Sequence, residues 1–191
     1  MPVSDLPPRL QERVVCSIAA AVKYEVPANI ILAIAEKEAG RPGQWVRNTN
    51  GTEDVGPLQF NTAYLASLSS YGITADDVAQ PGCYPFDLAA WRVRQHLLHD
   101  TGDIWTRAAD YHSRTPIYNA EYRADLIVKA ARWADWLQAR YVTFDVLQPH
   151  PKAQAPHPAT TKPSQRPDWS AQAVGAYKPR AVTISSNTGT R

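Results

Sequence analysis

The sequence predicts a mainly α domain over residues 1–147, followed by a Pro-rich, basic, disordered tail over residues 148–191. Three observations lead there. Strict alternation of apolar and polar residues, the mark of a half-buried strand, is nearly absent from residues 1–147, whereas apolar residues recur at helical spacing between recognisable caps. The composition then changes abruptly, with seven of the 16 prolines falling beyond Gln148 among Ala, Gln, Ser and Thr, a mixture too poor in apolar surface to offset its ordering entropy. Charge divides at the same place: residues 1–147 carry 14 Lys/Arg against 17 Asp/Glu, net −3, and residues 148–191 carry 6 against 1, net +5. By charge the body is not a nucleic-acid binder, and the tail is suited to anionic surfaces. A chain of 191 residues has room for one domain with a sizeable core plus such an extension.

Met1 to Pro8 is short and polar, and no charged segment leads into an apolar run with a small-residue cleavage site, so no signal peptide is visible. Leu10, Val14, Ile18 and Val22 recur every four residues and define a first amphipathic helix. No stretch approaches the roughly 20 apolar residues needed to span a membrane. Pro27 suits the first position of a second helix, an apolar run follows, and Gly40 suits its left-handed cap. On that helix Ile31, Ile34, Ala35 and Glu38 fall on one stripe, so a carboxyl group completes an apolar face, while Glu36 points elsewhere.

Desolvation and the negative end of the helix dipole both disfavour ionisation of a carboxyl group so placed. A carboxylic acid still protonated near neutral pH can protonate a leaving oxygen, as at a glycosidic bond. The other reading of Glu38 is a solvated residue at a fraying helix end beside Lys37 and Arg41. Residues 41–56 are rich in Gly, Asn, Thr and Pro and predict a long loop or small irregular hairpin turning at Asn50-Gly51. In Gly56-Pro57-Leu58-Gln59-Phe60-Asn61, apolar Leu58 and Phe60 alternate with the amides Gln59 and Asn61, which would line one wall suited to a polyhydroxylated or N-acetylated sugar.

Thr62 to Tyr71 predicts a short helix closed by Gly72, and Asp76-Asp77 a turn-rich connection ending at Pro81-Gly82. The two cysteines, Cys16 on the first helix and Cys83 before the next, fit either one disulfide or two buried free thiols. Phe86 to His99 predicts a helix with Leu88, Trp91, Leu97 and Leu98 toward the core and Arg92, Arg94 and Gln95 outward. His96 and His99 share a face but lack a third ligand, so they are read as solvated histidines and no metal is expected. Asp103 caps a helix from Ile104 to Tyr111, and Thr115 with Pro116 starts the longest helix, to about Val142. Tyr118 and Tyr122 share a face of it, and Ile127, Ala130 or Ala131, Ala134 and Leu137, with Trp133 and Trp136, continue as core. The tail reads either as an inert extension or as a segment that docks on a partner, with the lone aromatics Trp169 and Tyr177 as anchors.

Three pieces in order then carry a resemblance. Glu38-Ala39-Gly40-Arg41-Pro42-Gly43, the run Asn48 to Asn61 containing Gly56-Pro57-Leu58-Gln59, and Tyr111-His112-Ser113-Arg114-Thr115-Pro116 with Tyr122 beyond resemble the core of the soluble-type lytic transglycosylases. The small members that accompany conjugation and type IV secretion systems are the nearest in pattern, and coverage runs from about Val14 to Val142. This sequence departs from the pattern at Ala39 in place of a Ser, Pro57-Leu58 in place of Leu-Met, and His112 in place of an Asn.

The resemblance implies a lysozyme-like domain with a central buried helix ending in the single acid/base Glu38. It also implies a sugar cleft bounded by Gln59 and Asn61, with Tyr111, His112 and Tyr122 over it. The oxidising envelope compartment it implies favours a Cys16–Cys83 bridge. The implied reaction is cleavage of peptidoglycan between N-acetylmuramic acid and N-acetylglucosamine. Glu38 protonates the bridging oxygen, and the muramic acid's own 6-hydroxyl attacks the anomeric carbon to give a 1,6-anhydro end. No cofactor is needed. The expected partners are peptidoglycan strands and, through the tail, proteins of a secretion or conjugation apparatus, with the protein a monomer in the periplasm or cell envelope. Two other readings use the same residues: a lysozyme-type hydrolase in which Asp54 is the second carboxylate, and a non-catalytic glycan-binding or scaffold protein.

Overall fold

The computed structural model describes residues 3–147 and 180–182. It is mainly helical, as the caps and periodicity predict, and it is organised around a helix with almost no polar face. That helix, α2 (Ala28–Glu38), has every side chain from Ile30 to Ala35 fully buried. A helix that is apolar all round is stable only when surrounded, and the neighbours supply this: α1 (Pro8–Lys23), α5 (Tyr84–His99) and α7 (Pro116–Gln138) pack against it. Within this cage Asn29 donates to the carbonyl of Ala130 at 3.2 Å, tying α2 to α7 through a buried polar contact.

The first helix begins at Pro8 and buries Val14 and Ile18, with Leu10 and Val22 partly covered, so the four-residue repeat reports its inner face. In α2, Pro27 sits one position earlier than predicted, capping the helix with its carbonyl, which accepts from the amides of Ile30 and Ile31. The end of α2 corrects a second expectation. Ala39, not Gly40, adopts the left-handed conformation, with φ 51°. Gly40 is required for space instead: a Cβ there would lie 2.2 Å from the carbonyl oxygen of Gly56 and 2.7 Å from Gln59 Nε2.

Residues 41–56 form the hairpin half of a small antiparallel sheet, ordered β1 (Trp45–Arg47), β2 (Glu53–Val55), β3 (Phe60–Asn61). Trp45 faces Val55 and Arg47 faces Glu53, with the turn closed where the Gly51 amide donates to the Asn48 carbonyl. Asp54 pairs with Asn61, and Val55 with Phe60. After α3 (Thr62–Ser67) and a single 3-10 turn (Ser69–Tyr71), Gly72 closes the segment in the left-handed conformation. The connection expected next holds a helix, α4 (Ala75–Ala79), started by a reciprocal cap in which Thr74 and Asp77 each bond the other's backbone amide.

In α5 the expectation that Arg92 faces outward and Leu98 inward is reversed: Leu98 is exposed, and the Arg92 guanidinium lies 4.0 Å from the Tyr64 ring centre and 4.6 Å from that of Tyr111. A helix walled on several sides has no single outward face, so the spacing alone misassigned both. His96 is buried rather than solvated, and His99 is exposed. The short α6 (Ile104–Ala109) starts at Asp103, whose carboxylate accepts from the Thr106 amide at 2.7 Å. Helix α7 ends at Gln138, short of the predicted Val142, and Leu126 rather than Ile127 is its fully buried residue beside Ala130 and Leu137.

Chain beyond α7 pairs as β4 (Thr143–Asp145) with β5 (Arg180–Val182), Phe144 opposite Ala181. The strand β5 lies beside α1 and α2, and Val182 is buried in the core. Disorder was predicted at 180–182 because composition averages over the tail and cannot register one apolar residue that finds a long-range partner. The rest of the tail, with Trp169 and Tyr177, lies outside the described residues. No described helix is long and apolar enough to cross a membrane.

A disulfide joins Cys16 on α1 to Cys83 at the start of α5, closing 67 residues of chain, so the bridge alternative holds over free thiols. By loop-closure entropy a bridge over that separation contributes about 4 kcal/mol. A Cys16→Ser/Cys83→Ser variant is therefore expected to lose roughly that much unfolding free energy in a urea titration, and an unchanged midpoint would show that the bridge does not constrain the unfolded chain.

Candidate active site

Glu38 is the last helical residue of α2, where the apolar cage opens. Its Oε1 accepts a 2.5 Å hydrogen bond from the hydroxyl of Tyr122, which is itself buried on α7. Burial pushes the Glu38 carboxyl up to about 7; the Tyr122 hydrogen bond and the positive charges of Lys37 and Arg92 oppose the shift, and the charge of Asp54 adds to it. An ordinary glutamate is fully ionised at neutral pH, whereas this one is poised to give up or take a proton there.

The surroundings fix each of these influences. Lys37 donates to Asp125 on α7 at 2.6 Å and lies 4.7 Å from the centre of the Tyr122 ring. His112 stacks parallel to Tyr122, ring centres 4.7 Å apart, and burial followed by the charge of Lys37 holds its imidazole below the usual range, favouring the neutral ring. These side chains, with Tyr118 and Glu121, line an open cleft of about 280 Å³. The structure thus brings Glu38, His112 and Tyr122 together, and adds Lys37, Tyr118 and Glu121 to them.

The other predicted site residues stand behind or beside the cleft. Tyr111 is a buried strut: its hydroxyl donates to the Leu58 carbonyl at 3.0 Å, bracing the segment that carries Gln59. Gln59 is itself in the left-handed region, φ 49°, and its amide folds back to donate to the Gly56 carbonyl at 2.8 Å, beside Gly40 and so next to the end of α2. Asn61 serves the fold on every polar atom, capping α3 through the Ala63 amide and donating to Thr52 and Asp54. Asp54 therefore has one carboxylate oxygen engaged by Asn61, while its charge still acts on Glu38 and His112.

Two groups escaped the sequence reading. Arg92, sandwiched against Tyr64 and Tyr111, places a fixed positive charge under the site, and an arginine one helical turn from aromatic-facing positions gives no periodic signal of this. The second is a cluster that holds the His112 loop. Asp100 accepts from His96 Nδ1 at 2.6 Å and from Arg114, and Asn119 donates to Asp110 at 2.8 Å. Burial and the neighbouring Asp100 carboxylate push Asp110 up to about 6. The ligating atoms of His96, Asp100 and Asp110 lie within 4.8 Å of one another, and the Arg114 guanidinium supplies the positive charge there.

With the geometry in place, comparison with known proteins is informative. No family model matches the chain. The chain is similar to Protein IpgF and to Invasion protein IagB. IpgF of Shigella flexneri is 28% identical over 101 residues, covering 52% of this chain and 66% of that protein. IagB of Salmonella typhimurium is 23% identical over 109 residues, covering 56% of this chain and 68% of IagB. The matches therefore span about two thirds of the length of either relative.

The raised Glu38 carboxyl carries a stability signature. The folded protein keeps a proton on Glu38 up to about pH 7, whereas the unfolded chain releases it near 4.5, so stability falls as pH rises between those values. Glu38→Gln escapes that loss: it should be more stable than wild type at pH 8 by on the order of 3 kcal/mol and nearly equal to it at pH 4. Thermal melting across that range checks this, and a variant less stable than wild type at pH 8 contradicts it. Tyr122→Phe removes a donor to the charged form, so the Glu38 carboxyl should titrate at higher pH still, measurable by NMR titration of the carboxyl carbon.

Proposed function

We propose that the protein is a peptidoglycan lytic transglycosylase in which Glu38 is the only catalytic acid/base. The observation that carries this reading is one carboxyl group raised to about 7 at the open end of a buried helix, under a tyrosine hydroxyl and inside a cleft. Protonated Glu38 gives its proton to the oxygen between N-acetylmuramic acid and N-acetylglucosamine as the C–O bond breaks. The carboxylate so formed is stabilised by the Tyr122 hydroxyl and by the charges of Lys37 and Arg92. It then accepts the proton of the muramic acid 6-hydroxyl as that oxygen bonds to the anomeric carbon, which closes the 1,6-anhydro ring and regenerates the acid. The nucleophile belongs to the substrate, so no second protein carboxylate is required. In this reading His112 and Tyr122 form one stacked wall for the sugar face, and Gln59 contributes from beside Gly40 at the end of α2.

The second reading, a hydrolase with Asp54 directing water, draws on the charge interaction of Asp54 with both Glu38 and His112. Against it, one Asp54 oxygen is held by Asn61. The disulfide suits an oxidising compartment outside the cytoplasm, and similarity to an invasion protein suits work at the cell envelope. We therefore place the enzyme at the wall, opening it locally for an envelope-spanning transfer or secretion apparatus.

Mass spectrometry of soluble products from peptidoglycan sacculi tests the assignment. Wild type is expected to release muropeptides one water lighter than hydrolysis products, and Glu38→Gln to lose at least about a thousandfold of that rate, as expected for removal of a general acid that also acts as the base. Products with free reducing ends would establish the hydrolase and Asp54, and binding without turnover by wild type would establish a glycan-binding role.

A further inference from the structure

A second cavity, of about 370 Å³, lies around the turn that follows Glu38 and belongs to none of the chemistry above. Its walls come from the first turns of α1, the Gly40–Pro42 turn, Pro57 and the start of α5, and three arginines, Arg9, Arg13 and Arg41, converge on it. The domain around it is acidic, net −3 over residues 1–147, so this is a local concentration of positive charge against the general sign. None of the three is within ion-pair distance of a carboxylate among the described residues, whereas Lys23, Lys37, Arg94, Arg132 and Arg140 each are. The one acid on the wall, Glu12, has an oxygen occupied by the Gly82 amide at 2.8 Å. Arg13 is half-buried, anchored by a 3.3 Å hydrogen bond to the Gly40 carbonyl, and burial holds its guanidinium below its ordinary range. A guanidinium kept partly out of water, with the charge of Glu36 acting on it but no carboxylate within ion-pair distance, gains more from a bound carboxylate than a solvated one would. Pro57 and Phe86 supply an apolar floor. An adjoining cavity lined by Ala39 and Gln44 shares Arg41 and Pro42 with the first, so the two line one groove along the turn that follows Glu38.

We propose that this groove binds a carboxylate-bearing peptide, namely the peptide substituent that peptidoglycan strands carry on the muramic acid. This rests on the transglycosylase reading for its choice of peptide. The combination of several fixed cations with an apolar floor suits a short chain that alternates carboxylates with aliphatic carbons, and suits an uncharged sugar poorly. The groove starts at Ala39, the residue after Glu38 on the cleft wall, so a peptide attached to a sugar at Glu38 would meet Arg41 first and Arg9 and Arg13 beyond.

The probe is the free tetrapeptide L-alanyl-γ-D-glutamyl-meso-diaminopimelyl-D-alanine, titrated into the full chain by calorimetry at low salt. Wild type and Glu38→Gln are expected to bind it equally, because Glu38 is not in the groove. Arg9→Gln/Arg41→Gln, at two exposed positions, is expected to bind at least about tenfold more weakly, and Arg9→Lys/Arg41→Lys to recover part of the loss. On sacculi, the glutamine variant should sediment less than wild type with intact material and equally with material stripped of peptide by an amidase. No heat from wild type, equal binding by the glutamine variant, or a difference that persists on stripped sacculi would each overturn the proposal. Failure of the transglycosylase reading is read separately, as absence of anhydro products from a protein that still binds the tetrapeptide.

Discussion

The burial of α2 is the constraint on which the rest of the structure depends. A helix with fully buried side chains from Ile30 to Ala35 needs neighbours on all sides, and α1, α5 and α7 are where they are because of it. The first place that cage can open is the end of α2, and the residue there is Glu38. Its desolvation is a consequence of the same packing that stabilises the domain, so the raised carboxyl and the stable core have one physical cause. The state of the Glu38 carboxyl and the fold cannot be varied independently.

Burial alone would drive the Glu38 carboxyl further above neutrality than it stands. Three fixed groups pull it back. Tyr122 donates to the charged form from α7, Lys37 is held by Asp125 on the same helix, and Arg92 reaches in from α5, clamped by Tyr64 and Tyr111. Each is positioned by an element that also walls α2, so the opposing terms are set by one arrangement of helices. Because these cations are tethered by side chains of the fold rather than free in solvent, their effect is the same whether Glu38 holds its proton or has lost it.

What could be read from the sequence follows the range of the interactions involved. The uniform apolar character of α2, the stripe ending in Glu38 and the Asp103 and Gly72 caps are local, and were legible. The reciprocal Thr74–Asp77 cap is equally local, and its Thr-x-x-Asp spacing marks the start of α4 where Asp76-Asp77 alone suggests a turn. Arg92, His96 and Val182 are different. Each is placed by residues far away in the chain, Tyr64 and Tyr111, Asp100 with Arg114, and the α1 and α2 helices, and periodicity carries no information about such partners. Gly40 shows the limit most sharply: sequence predicts a glycine for its conformation, but the need here is for room against Gly56 and Gln59, which only the folded loop creates.

That need for room has a mechanical meaning. With no side chain at Gly40, the end of α2 and the Gln59 segment touch backbone to backbone, and Tyr111 braces the same segment from behind through Leu58. Gln59 is held in a left-handed conformation that only a tightly determined loop sustains, and Ala39 on the other side of the contact is held likewise. Two non-glycine residues in this region, flanking one close approach, indicate that the separation between the end of α2 and the Gln59 segment is fixed rather than adjustable. The Cys16–Cys83 bridge ties together the two elements, α1 and the start of α5, that flank the groove on this side. Glu38 is therefore set by a helix end, the Gln59 segment is locked against that end, and on the other side His112 presents an exposed ring stacked on Tyr122 in a loop held by the Asp100–Arg114 cluster.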